Sequence, residues 1–216
     1  SEVAPGTFQH PWQVANLATE VANKIGAKSL LVRTGALYHD IGKMDNPAYF
    51  TENQNKFNPH ERISNEQSAA LVISHVKDGL KLADKYNLPQ VIKDFISTHH
   101  GKGKTKYFLI SYKNQHPDQT VDESIFTYPG PNPFTLEQAI LMMADSVEAA
   151  SRSLNEYTEE SISALVDKIV DCQVQEGFFK DCPITFHDIT VAKDVFREKL
   201  KTIYHTRISY PELKKK

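Results

Sequence analysis

The chain has 216 residues, of which 40% are hydrophobic and 24% are charged, and its formal net charge is -2. This composition is typical of a globular domain, and the near-neutral charge disfavours a long nucleic acid as the partner. The two cysteines, Cys172 and Cys182, have neither the spacing of zinc ligands nor the density of a disulfide scaffold. No apolar stretch approaches the roughly 20 residues needed to cross a bilayer. We therefore predict a single domain over residues 1–216, and we expect it to be part of a longer protein because it opens without a Met.

The first predicted helix has apolar residues with a 3.6-residue period over residues 14–25 and ends at Gly26. Pro11 suits the first helical position, which predicts that His10 lies at or just before the N-terminus of this helix. A second predicted helix follows and leads directly into His39 and Asp40.

The adjacent His39 and Asp40, followed by Gly42 and Lys43, suggest a site for two metal ions. Neighbouring side chains on a helix point about 100° apart, so the pair suits a carboxylate that lies between two ions better than it suits one chelated ion. Gly42 permits a tight turn, and Lys43 then lies where its ammonium could meet a phosphate oxygen. From this segment alone, an alternative to a metal site remains open: the His-Asp pair could simply lie at a helix end that faces the surface. We expect residues 44–63 to form a loop that covers the site.

Two further predicted helices contribute histidines. Ser64 and Gln67 form a capping box before a long helix that contains His75, a residue that on its own is most simply a packed or exposed side chain. The next helix opens near Pro89, and its apolar face continues into His99 and His100. Two imidazoles buried together are costly unless something binds them, and a metal ion is the simplest candidate.

The segment over residues 102–134 is the least regular, and we predict a short irregular or β-like insertion near residues 105–130, with a strand-like run at residues 107–112. Thr135 and Gln138 then predict the cap of a strongly apolar helix. Asp145, Glu148 and Arg152 share one face of this helix. Asp145 requires a compensating cation, which is either Arg152 or a metal ion.

In the last third of the chain, the sequence pattern predicts two amphipathic helices, at about residues 159–174 and 187–205. We expect both helices to serve as scaffold. We assign no chemistry to His187 and His205 and expect both at the surface. The predicted fold class is mainly α.

The candidate ligands lie on separate predicted helices and combine imidazole with carboxylate, without thiolate: His10, His39, Asp40, His75, His99, His100 and Asp145. Such a set suits Fe, Mn, Zn or Co better than Ca or Mg. Their order, together with residues 4–10, 38–44, 52–54, 58–60, 95–101, 128–131 and 144–152, resembles the HD superfamily of metal-dependent phosphohydrolases. More narrowly, the chain is similar to the cytosolic HD domain of the seven-transmembrane HD receptors.

The resemblance implies an HD-domain helical bundle that holds two divalent transition-metal ions, most simply Fe or Mn. It implies that one ion is bound by His10, His39 and Asp145, that the other is bound by His75, His99 and His100, and that Asp40 bridges both. Two departures from the family pattern are the Pro-Trp pair after His10 and the Gly-Lys-Gly sequence at residues 101–103. The second departure argues against cyclic di-GMP as the substrate.

The implied activity is a phosphodiesterase that opens cyclic di-AMP to linear pApA, with Asp40 and Lys43 as catalytic residues. Lys43, His60 and Arg152 are the expected substrate contacts, and aromatic residues of the irregular segments are candidates for stacking on adenine. We expect a cytoplasmic domain tethered to the inner membrane of a bacterium, with an oligomer as an open option.

Three alternatives remain open at this point. The domain could be an HD phosphohydrolase that acts on mononucleotides, or a nucleotide-binding sensor without turnover. It could also be a di-iron oxygenase on the same helical scaffold, although Lys43 beside the site favours a phosphate substrate.

Overall fold

A computed structural model describes residues 5–54 and 58–204. Over these residues the chain forms eight α-helices: α1 (Pro5–Ile25), α2 (Ser29–Tyr38), α3 (Asn65–Lys85), α4 (Gln90–Thr98), α5 (Lys106–Gln115), α6 (Leu136–Ser151), α7 (Glu159–Gln175) and α8 (Phe186–Tyr204). Short 3₁₀ helices fill much of the connection between α2 and α3, and another lies between α5 and α6. The described part of the chain contains no strand, so the predicted all-α class is confirmed.

Helix α6 is the centre of the bundle. It packs against α1, α2, α4, α7 and α8. Six successive apolar side chains of α6, at residues 139–144, are at most 2% exposed, which is the pattern of a helix surrounded on all sides. Asp145 and Glu148 continue this helix and are therefore held in the interior beside α1.

The two predicted capping boxes are formed. Ser64 and Gln67 exchange side-chain and backbone hydrogen bonds at the start of α3, and Thr135 and Gln138 do so at the start of α6. Each box satisfies backbone N–H groups that the first turn of a helix leaves without partners. The boundaries of these two helices follow directly from these local sequence signals.

The predicted position of His10 at a helix start is wrong, because α1 begins at Pro5 and places both His10 and Pro11 inside the helix. The fixed φ of proline is compatible with a helix. A proline inside a helix destabilises it because one backbone hydrogen bond is lost and the ring crowds the preceding turn. Burial of the apolar face of α1, with Val14 and Leu17 almost fully buried, offsets that cost.

The strand-like prediction for residues 107–112 is also wrong, because these residues belong to α5. Phe108, Leu109 and Tyr112 have helical spacing and pack into a small apolar cluster with Phe126. Tertiary packing against α3 therefore decides the conformation of a segment whose aromatic residues are also common in strands. The loop predicted at residues 44–63 contains 3₁₀ turns in its described part.

The two C-terminal helices, α7 and α8, match their predictions and pack against each other. His187 is exposed, as predicted, whereas His205 lies outside the described residues. Among the described helices, none combines the length and apolarity needed to cross a membrane.

Candidate metal centre

Five helical elements bring the seven predicted ligands together. Helices α1, α3 and α6 carry His10, His75 and Asp145. His39 and Asp40 directly follow α2, and His99 and His100 directly follow α4. All but the partly exposed His100 are buried. Their ligand atoms fall into overlapping groups that each could hold a metal ion: His10, His39 and Asp145; His75, His99 and His100; and His39, Asp40 and His99.

Asp40 lies between two sets of imidazoles. Its Oδ1 is 3.5 Å from Nε2 of His75 and 3.6 Å from Nε2 of His99. Its Oδ2 is 3.4 Å from Nε2 of His10 and 3.3 Å from Nε2 of His39. Each carboxylate oxygen therefore faces one set of histidines, which is the arrangement that a bridging ligand needs.

Three of the histidines are oriented by their own helices. Nδ1 of His39, His75 and His99 donates to the backbone carbonyl three residues earlier, at 2.6, 2.5 and 2.8 Å respectively. Because a carbonyl oxygen can only accept, each Nδ1 carries a proton and each Nε2 is turned towards Asp40. This is the orientation that histidine ligands of metal ions adopt.

The facing nitrogens of His75 and His99 lie close enough to share one cation. Their Nε2 atoms are 3.1 Å apart. Burial lowers the pKa of His75 to about 3, so its ring is neutral near pH 7 and both rings turn Nε2 to the same point. Burial also holds the pKa of His100 well below its usual range. Two ring nitrogens that face each other at this distance share either a proton or a metal ion.

The other set of ligands, His10, His39 and Asp145, lies with Asp40 in a strongly anionic environment. Burial acts to lower the pKa of His39, but the charge of Asp40 and the contacts with Asp145 raise it to about 10. The negative potential that favours an imidazolium here equally favours a divalent cation. His39 Nε2 and Asp40 Oδ1 are fully buried and have no hydrogen-bond partner. The residues present therefore fit a divalent transition-metal ion.

Lys43 lies beside this centre in a 3₁₀ helix at Ile41–Asp45. Its Nζ is 2.7 Å from Asp40 Oδ2 and 2.8 Å from Glu52 Oε1. Burial acts to lower the pKa of Lys43, but the two carboxylates raise it above its ordinary value, so the side chain is a fixed cation. Lys43 is thereby held at the edge of the site, as the sequence predicts.

A cavity of about 410 Å³ opens in front of the centre and is lined by Lys43, His60 and Arg152 together with His10, His75, His100 and Asp145. Its aromatic lining comprises Tyr49, Phe50, Tyr107, Phe108 and Tyr128. Within it, His60 Nε2 donates to the carbonyl oxygen of Tyr49 at 2.8 Å, while its buried Nδ1 has no hydrogen-bond partner. The three residues predicted to contact substrate thus share one cavity with the candidate ligands.

Two residues of the site have no role in the sequence prediction. Glu52 binds Lys43, and Glu148 binds both His10 and Arg152. Arg152 therefore pairs with Glu148, and Asp145 instead lies 2.9 Å from His10 Nε2. The shared helical face of Asp145, Glu148 and Arg152 was visible in the sequence, but the approach of His10 depends on the packing of α1 on α6.

The HD domain family model matches residues 7–150. The chain is 46% identical over 210 residues to the cyclic-di-AMP phosphodiesterase PgpH of Listeria monocytogenes, and 41% identical over 213 residues to PgpH of Bacillus subtilis. These matches cover 97% and 98% of the chain but only 29% and 30% of the two relatives, so the chain spans less than a third of their length.

A crystal structure of the L. monocytogenes PgpH HD domain in complex with cyclic-di-AMP superposes with a TM-score of 0.91 at 45% sequence identity. The superposition covers 97% of this chain and 96% of the other. The resemblance stated from the sequence is confirmed by both the sequence relatives and the fold. The chain belongs to the HD domain family, in the branch of the seven-transmembrane HD receptors.

Proposed function

We propose that this domain is a metal-dependent phosphodiesterase that hydrolyses cyclic di-AMP to linear pApA. The observation that carries the proposal is the position of Asp40, which lies between two sets of imidazole ligands and beside a buried lysine. The relatives named cyclic-di-AMP phosphodiesterase support the choice of substrate, as does the similar domain solved with cyclic-di-AMP.

The proposed centre holds two divalent ions, with Fe or Mn as the best match to nitrogen and oxygen donors. One ion is assigned to His10, His39 and Asp145, and the other to His75, His99 and His100. Asp40 is assigned to both. When bound, the ions would activate a water molecule and neutralise charge on the phosphoryl group.

Lys43 and Arg152 supply the positive charge of the proposed substrate site. Lys43 Nζ is fixed next to Asp40 and lines the cavity, so a phosphate held beside Asp40 comes within its reach. There it would stabilise negative charge that develops on a non-bridging oxygen. The guanidinium of Arg152 lies at the cavity wall, where it would bind the second phosphate of a dinucleotide.

His60 has a hydrogen-bonding pattern that favours adenine. With Nε2 donating to the Tyr49 carbonyl, the buried Nδ1 is the ring nitrogen left to accept a hydrogen bond from a base. Adenine offers an amino group to such an acceptor, whereas guanine has a carbonyl oxygen at the same ring position. The aromatic lining, including Tyr107 and Phe108, supplies faces on which the two bases would stack.

We further propose that the domain acts at the cytoplasmic face of a membrane, as part of a longer chain. The support is that the two PgpH relatives extend far beyond the matched region.

The proposal is tested by incubating the purified domain with Mn²⁺ and cyclic di-AMP, cyclic di-GMP or a panel of mononucleotides. We expect turnover of cyclic di-AMP, much weaker turnover of cyclic di-GMP and none with the Asp40→Ala control. Rapid hydrolysis of mononucleotides with cyclic di-AMP untouched would indicate a mononucleotide phosphohydrolase instead. Tight binding of cyclic di-AMP without turnover would indicate a sensor domain.

A further inference from the structure

His10 is oriented differently from the other buried histidines of the centre. His39, His75 and His99 each donate Nδ1–H to a carbonyl of their own helix. His10 instead donates from Nδ1 to Glu148 Oε2, at 2.5 Å, and the two residues are 138 positions apart in the chain. The direction of the His10 ring therefore depends on a side chain of another helix.

Glu148 is itself held in place. It is 5% exposed, and Arg152 donates to it three times: from Nε and Nη2 to Oε1, at 3.0 and 2.7 Å, and from Nη2 to Oε2 at 2.8 Å. Asp145, one turn earlier on α6, lies 2.9 Å from the other ring nitrogen of His10. Helix α6 thus contacts both nitrogens of His10, one through a proposed ligand and one through Glu148.

We propose that Glu148 is a positioning residue for the metal site of His10, His39 and Asp145. Its carboxylate fixes the His10 ring so that Nε2 is directed at Asp40 and Asp145, and Arg152 prevents the carboxylate from turning away. This inference rests on the proposed two-ion function. A carboxylate that accepts from the outer nitrogen of a histidine ligand both orients the ring and makes it a stronger donor.

The two proposed metal sites consequently differ in the contacts that orient their histidine ligands. His75 and His99 are set by hydrogen bonds within α3 and α4, and these remain whatever α6 does. The His10 site is complete only when α1 is packed on α6 with Glu148 in place. Loss of Glu148 should therefore weaken one site and spare the other.

The test measures Mn²⁺ binding by the His75→Ala domain, in which the ion at the His10 site is the one that remains. Into this background we introduce Glu148→Gln, Glu148→Asp and Glu148→Ala. Glu137→Gln, at the far end of the same helix, is the matched control. Binding is followed by competition with a chromophoric chelator, and thermal unfolding without metal checks that each variant folds.

We expect Glu148→Ala and Glu148→Asp to weaken Mn²⁺ binding by about 10- to 100-fold. Aspartate keeps the charge but is one methylene too short to reach His10, whereas glutamine keeps an acceptor oxygen at the right distance. Glu148→Gln should therefore be the mildest of the three, and Glu137→Gln should leave affinity unchanged. This order would distinguish ring positioning from a general effect of negative charge.

Unchanged affinity in all three Glu148 variants would overturn the inference and leave the two-ion site intact. So would an affinity retained by aspartate and lost by glutamine, because charge alone would then explain the effect. Fewer than two ions bound by the otherwise unaltered domain would overturn the proposed two-ion function itself. The isosteric glutamine variant keeps the comparison valid if the alanine variant fails to fold.

Discussion

Asp40 and Lys43 form a buried ion pair whose carboxylate also faces four imidazoles. Burial acts to raise the pKa of Asp40, but His39 and Lys43 hold it well below its usual range, so the group is ionised. A buried carboxylate is costly without positive partners, and here it is surrounded by potential metal ligands as well as by a lysine. The sequence alone could single out Asp40 and Lys43 because both lie in one short segment, with His39 before Asp40 and Gly42 before Lys43.

Asp40→Ala should remove both ions and abolish turnover, because both carboxylate oxygens are assigned to metal. His75→Ala should mainly empty one site. The measurement is metal content by mass spectrometry of protein loaded with Mn²⁺, alongside turnover of cyclic di-AMP. Retention of two ions and near-normal turnover by purified Asp40→Ala would show that the bridging assignment is wrong.

Lys43→Ala should raise the barrier to hydrolysis by about 2 to 4 kcal/mol, which is the usual loss when one electrostatic stabiliser of a transition state is removed. Metal content and melting temperature of the metal-loaded domain should change little. Glu52→Gln is the matched control, because it removes the negative charge of the second partner of Lys43 but leaves the ammonium beside Asp40. If Lys43→Ala loses metal in proportion to turnover, its role is structural.

Among the elements, the 3₁₀ helix Ile41–Asp45 sets the distance between Asp40 and α3. A Cβ atom added at Gly42 would lie 1.9 Å from the carbonyl oxygen of His75 and 2.4 Å from the amide nitrogen of Gly79. Both are backbone atoms of α3 and cannot rotate away. Only glycine therefore allows this turn to approach α3 closely enough for Asp40 to face His75.

Gly42→Ala should accordingly destabilise the domain by at least about 1 to 3 kcal/mol, the usual cost of overpacking, and should also weaken metal binding. Gly177→Ala is the control for metal affinity: an added Cβ has nothing within 4 Å, but the φ of +73° strains alanine, so this variant should lose some stability and keep its Mn²⁺ affinity. Urea unfolding gives the stability change, and a Mn²⁺ titration gives the affinity. A Gly42→Ala domain with full stability and unaltered metal affinity would contradict the close approach.

Elements with strong local signals were predictable, and those shaped by packing were not. The capping boxes of α3 and α6 are local and determine where those helices begin. The conformation of α5 depends on burial of Leu109 against a distant part of the chain, and the start of α1 depends on burial that overrides the cost of Pro11. In the site, Glu148 was missed because its partner His10 is 138 positions away in the chain. Glu52 was missed because its contact with Lys43 depends on how the intervening 3₁₀ turns fold.

On the scale of the whole molecule, some of the described helices carry the proposed site and others support it by packing. Helices α1 to α4 and α6, or the residues directly after them, carry the proposed ligands, while α7 and α8 pack against α1 and α6. The cavity is bounded by the connection between α2 and α3 on one side and by α5 on the other, which together supply most of its aromatic lining. If the proposed function is correct, we expect substrate choice to depend mainly on these segments, which are distinct from those that carry the proposed ligands.

This division leads to a prediction about the product. The proposed centre has one carboxylate assigned as a bridge and one lysine, so it should act on one phosphodiester at a time. Hydrolysis of one phosphodiester opens the ring of cyclic di-AMP and gives pApA with a 5′ phosphate. The linear product is flexible and must lose more conformational freedom than the ring to occupy the same cavity, so it should bind less well.

Chromatography over a time course with Mn²⁺ should show that pApA accumulates well before AMP appears. Release of AMP at the rate at which cyclic di-AMP disappears would contradict this preference for the ring, and no product at all should form with Asp40→Ala.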